Sequence, residues 1–108
     1  MTDIVMLYCT APDTHTAESI SNALVEEKLA ACVNILPVMT SVYAWEGKVE
    51  KAGEAVFIVK TAISIADAAR DRIVELHPYD CPCVIALPSI AAASFGPFLN
   101  WVKTATNA

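Results

Sequence analysis

The chain has 108 residues, 12 acidic against 7 basic side chains, a formal net charge of -5 and 56% apolar residues. That length builds one compact domain, residues 1–108, and that apolar share excludes intrinsic disorder. The acidic balance lacks the basic face that a nucleic-acid partner needs and the Lys/Arg cluster that docks on an anionic membrane.

The N-terminus, Met1-Thr2-Asp3-Ile4, has no basic segment ahead of an apolar run, so no secretory signal is expected. No uncharged apolar run approaches the roughly 20 residues of a membrane span. The longest candidate, 81–99, is broken by Pro82, Pro88, Gly96 and Pro97. The predicted compartment is the cytosol, where Cys9, Cys32, Cys81 and Cys83 stay reduced. Cys81 and Cys83 are too close for an easy mutual bridge, and one such pair is not a zinc-knuckle spacing.

In chain order, the continuous apolar run over 4–9 predicts a central strand buried on both faces. Asp13 or Thr14 caps a helix over 14–28, with Ala17, Ile20 and Leu24 at helical spacing. A second strand over 31–36 meets Pro37 and resumes over 38–45, which predicts a bulge or an edge position. Glu46-Gly47-Lys48 is the hairpin signal, and a third strand follows over 49–61. Ala66, Ala69, Ile73 and Leu76 mark a second helix over 64–76, with Asp67, Arg70, Asp71, Arg72 and Glu75 on its wet face. It stops at His77-Pro78. A short fourth strand covers 84–87, Pro97 opens a third helix, and the tail from Thr104 is expected to fray.

The order β-α-β-β-α-β plus a terminal helix is that of the ferredoxin-like α+β fold, a four-stranded antiparallel sheet with two helices on one face. Both alternating residue sets of the third strand are apolar in Ala55-Val56-Phe57-Ile58-Val59. Two helices cover one sheet face only, so the other is expected to be buried by self-association, with the hairpin reaching to a neighbour.

Four stretches stand together: Cys9-Thr10-Ala11-Pro12-Asp13, Leu29-Ala30-Ala31-Cys32-Val33-Asn34, Ser41-Val42-Tyr43-Ala44-Trp45-Glu46-Gly47-Lys48, and Lys60-Thr61 followed by His77-Pro78-Tyr79. In this order they resemble the CutA family of divalent-cation tolerance proteins. The resemblance covers residues 5–103. It implies a compact homotrimer of ferredoxin-like protomers, similar in architecture to the PII signalling proteins, and a role in tolerance of copper and other divalent cations. It brings no settled enzymatic activity. It also implies Cys9 and His77 as copper ligands. This chain has Leu76 where some bacterial members carry a second histidine, Cys83 where a glutamate is common, and Phe98 in place of a tyrosine.

Thiolate and imidazole suit copper, so Cys9, His77 and Cys83 are the candidate metal ligands, with Cys81-Pro82-Cys83 a soft cluster particular to this chain. Against this, Cys9 reads as a small buried hydrophobe at a strand end, which is what free cysteine usually is, and His77 as a helix-end cap. Glu54, Val56, Ile58 and Lys60 share one strand face. Their charges are costly among apolar neighbours unless paired, either with each other or across subunits. The alternative is a PII-like sensor. It would hold a small anionic ligand between subunits, with Lys60 as the cation, Asn34 a polar contact, Glu54 beside them and Trp45, Tyr79 and Trp101 as walls. No nucleophile elbow, P-loop or zincin motif is present, so the chain is not read as an enzyme.

Overall fold

The computed structural model describes residues 4–107. The elements are β1 (Ile4–Ala11), α1 (Thr14–Glu26), β2 (Cys32–Trp45), β3 (Lys48–Ala62), α2 (Ala66–Leu76), β4 (Val84–Pro88) and α3 (Gly96–Ala105). Single 3-10 turns lie at Ile63–Ile65 and Ala91–Ala93. The strands form one four-stranded antiparallel sheet in the order β2-β3-β1-β4, the ferredoxin-like arrangement that the element order predicts.

The two continuously apolar strands, β1 and β3, take the centre, where each pairs on both sides. Leu7, Cys9 and Ala11 of β1 and Ala55, Phe57 and Val59 of β3 face the helices. They pack on Ala17, Ile20 and Leu24 of α1 and on Ala69 and Ile73 of α2. The alternate residues point to the opposite face. There α3 covers one end only, with Val102 buried among Ile4, Ala31 and Ala62. Pro37 falls on the edge strand β2 and at a bulge: Leu36 pairs with Val56 but Met39 with Glu54, so residues 37 and 38 oppose one partner. Beyond the bulge the β2-β3 arm runs past the helices, and the molecule is 45 Å long against 28 and 22 Å across.

Local chemistry sets the element ends. The Asp13 carboxylate accepts from the Thr16 N–H at 2.7 Å and caps α1. This bond holds the Asp13 carboxyl below its usual range. α1 stops at Glu26, two residues short of the predicted end, because Lys28 adopts φ +60°. The Lys28 N–H then bonds the Val25 carbonyl and the Leu29 N–H the Leu24 carbonyl, a Schellman ending. Arg72 of α2 clamps Glu27 through two bonds of 2.9 and 3.0 Å and also meets Glu75. The hairpin turn places Glu46 at φ 49° and Gly47 at φ 77°, the signs of a two-residue turn that fits strand twist. The tail does not fray at Thr104: α3 continues to Ala105, and buried Thr106 donates its hydroxyl to the Val102 carbonyl at 2.8 Å. Val102, to which Thr106 is bonded, is itself packed beneath the sheet.

Candidate functional site

Chemistry-bearing side chains gather where β1 ends, α2 ends and β4 begins. Pro78 forces His77 out of the helix into extended backbone (φ -77°, ψ 139°), which turns its ring towards β1. The His77 Nε2 lies 2.7 Å from the Thr10 carbonyl oxygen, and Nδ1 accepts from the Tyr79 N–H at 3.1 Å. A carbonyl only accepts and a backbone N–H only donates, so the ring is the neutral Nε2–H tautomer. Both nitrogens are engaged and the ring is buried, with the Tyr79 ring at 4.8 Å. A metal would have to displace one of these bonds.

Cys9 stands on the helix-facing side of β1 with no exposed surface, and its Sγ lies 3.6 Å from the Leu7 carbonyl. Burial, aided by Cys83, pushes the thiol up to about 12, so it remains protonated near neutrality. This is neither an activated nucleophile nor a prepared thiolate ligand. Cys83 is half-buried beside Thr10 and Glu54. Burial pushes its thiol up, the Glu54 carboxylate adds to that, and a hydrogen bond with Thr10 offsets part of it. Cys81 is exposed. Among the described residues no three His, Cys, Asp or Glu side chains converge on a common point.

The six cleft residues read from the sequence divide into separate places. The Tyr79 hydroxyl donates to Glu54 Oε2 at 3.2 Å. Burial first, then the Glu54 carboxylate, raises the Tyr79 phenol above its ordinary value. Lys60 lies at the other end of the same strand face, its ammonium 5.5 Å from the centre of the Phe98 ring, with Trp101 beside Phe98 at 5.7 Å. Six residues of strand separate Glu54 from Lys60, about 20 Å at the usual rise. An ion pair between them within one chain is therefore excluded by length. Asn34 is exposed on the edge strand opposite Ile58, and Trp45 closes the hairpin tip.

Sequence reasoning missed two participants. Thr10 links the constellation, its carbonyl receiving His77 and its side chain meeting Cys83. Phe98 is the platform for Lys60. For Thr10 the signal was its place between Cys9 and the turn; for Phe98 only the three-dimensional path of α3 supplies one.

The family of the CutA1 divalent ion tolerance protein matches residues 5–105. The human protein CutA is 41% identical over 99 residues, covering 92% of this chain and 54% of that protein. The chain thus spans about half the length of that relative. The divalent-cation tolerance protein CutA of Thermus thermophilus is 40% identical over 106 residues, 98% of this chain and 99% of the relative. The crystal structure of the divalent ion tolerance protein CutA1 from Ehrlichia chaffeensis superposes with a TM-score of 0.91 at 38% identity, covering 98% of this chain and 97% of that one. The β2-β3-β1-β4 sheet, the sequence motifs and these matches agree, and the chain belongs to the CutA1 family of divalent ion tolerance proteins.

Proposed function

We propose that this chain is a cytosolic, self-associating protein that contributes to divalent-cation tolerance by taking up copper where Cys83 and His77 meet Thr10. The observation that carries this reading is the gathering of a thiol and an imidazole on one residue, with the Glu54 carboxylate close to the thiol. Soft sulfur and imidazole donors suit copper in either oxidation state. A cation beside Cys83 would also relieve the repulsion that Glu54 imposes on its thiolate. Cys83 is the accessible donor, while Cys9 sits on the core side of the strand. Binding through His77 requires the ring to give up either the Thr10 carbonyl or the Tyr79 N–H.

Self-association is supported by the apolar sheet face beyond α3, where Leu36, Ile85 and Leu87 are exposed. The trimeric count is what the family resemblance implies. The anion-cleft alternative has its cation, Lys60, and Trp101 at one end of the strand face and Tyr79 and Glu54 at the other, so it needs a second protomer to bring them together.

Native mass spectrometry of the reduced, metal-stripped protein titrated with Cu(I), then Cu(II), tests the reading. A trimer taking about one copper per chain is expected, with uptake lost in Cys83→Ser and weakened in His77→Ala. Wild-type protein that stays bare, or uptake indifferent to Cys83→Ser, overturns the assignment.

A further inference from the structure

The sheet face turned away from α1 and α2 carries two charged groups, Lys60 and Glu54, that meet no opposite charge among the described residues. Among the described residues no carboxylate lies within ion-pair distance of Lys60, and no cation within ion-pair distance of Glu54. Lys60 rests over Phe98, which orients the ammonium but supplies no counter-charge. Glu54 receives the Tyr79 hydroxyl on Oε2, which holds the carboxylate in place and leaves its other oxygen for a further donor. Val56 and Ile58 separate the two along β3. Around them lie Leu36, Ile85 and Leu87, 49%, 55% and 42% exposed.

A second copy seated on this face would take Lys60 and Glu54 out of water, and a charge so buried is strongly unfavourable unless it is paired. We propose that the Lys60 ammonium of each protomer pairs with the partner's Glu54, fixing the register in which apolar sheet faces meet. The pairing rests on the self-association proposed above. Two other charged side chains share this face, Lys48 and Glu50, but both stand on the hairpin arm beyond the bulge, opposite Trp45 and Tyr43 and away from Leu36, Ile85 and Leu87. Glu54 is the half-buried carboxylate set among the apolar residues.

Charge reversal tests the pairing. Lys60→Glu and Glu54→Lys are each expected to raise the protomer dissociation constant about thirty-fold or more, the usual loss when one member of a buried pair is removed. The double variant is expected to recover most of that loss. Sedimentation velocity across protomer concentration reads the association, and far-UV circular dichroism checks that the protomer is folded. If a reversal unfolds the protomer, Lys60→Met and Glu54→Gln form a milder cycle, in which the double variant loses less than the two single losses combined. Single variants that associate like the wild type, or a cycle with independent effects, overturn the pairing and leave self-association standing. A wild-type chain that sediments as a monomer at every concentration overturns both.

Discussion

Replacing His77 separates a structural histidine from a vacant ligand. In the metal-free protein its ring holds the Thr10 carbonyl at 2.7 Å and the Tyr79 N–H at 3.1 Å, tying the end of β1 to the loop after α2. His77→Phe keeps a ring of similar shape and removes both bonds. Each orphaned, partly buried backbone group costs about 1–3 kcal/mol. The loop can relax and water can reach part of the gap, so the sum is placed at roughly 2–4 kcal/mol. For a domain of this size that corresponds to a fall in Tm of roughly 10–25 °C. Urea unfolding of the metal-stripped protein at fixed protomer concentration measures it, since concentration alone shifts the stability of an oligomer. A loss below about 0.5 kcal/mol, the scatter of an ordinary surface substitution, would refute the reasoning. The ring would then be idle without a metal.

Lys28→Gly is expected to stabilise the protein by about 0.5–1 kcal/mol, because a non-glycine residue at φ +60° in a Schellman ending carries a steric cost that glycine avoids. A higher midpoint in urea with an unchanged slope checks it; a lower midpoint would mean that the Lys28 side chain contributes more than its backbone costs. Cys9 predicts an alkaline effect. Its thiol is raised from the ordinary 9.0 to about 12, so above pH 9 the unfolded chain gives up this proton while the folded one keeps it. Stability from this group is fully present below pH 9 and falls by about 1.4 kcal/mol per pH unit up to 12. Urea unfolding of wild type and Cys9→Ala at pH 8 and pH 10.5 should show the difference moving by roughly 2 kcal/mol in favour of the variant. A pH-independent difference would mean that the thiol is not desolvated.

The fold was legible because its signals are local and mutually consistent. The continuous apolar run marks β1 as central, Pro37 marks the edge and bulge of β2, and Glu46-Gly47 marks the turn. The errors lie where a backbone angle or a distant contact decides. Nothing about Lys28 announces a left-handed residue, since lysine favours a continuing helix, and α1 ends there because Leu29 is drawn down to bond Leu24. The ordering of 104–106 depends on Val102 finding Ile4 and Ala62, residues far away in sequence.

The site was legible as a set of residue types and not as an arrangement. His77 reaches the carbonyl of Thr10, the residue after Cys9, yet strand alternation turns the Cys9 thiol towards the helices while Cys83 meets the Thr10 side chain on the other face. One residue of pleat thus separates a core thiol from an accessible one, and no spacing rule carries that distinction when the second cysteine enters from a loop. Glu54 and Lys60 show the complementary limit. Even spacing put them correctly on one face, but shared face is not shared place, and six residues of strand keep them about 20 Å apart. On the proposed assembly a neighbour supplies the charge that neither residue finds among the described residues of its own chain, and oligomeric state in the reversal series is the measurement that reads it.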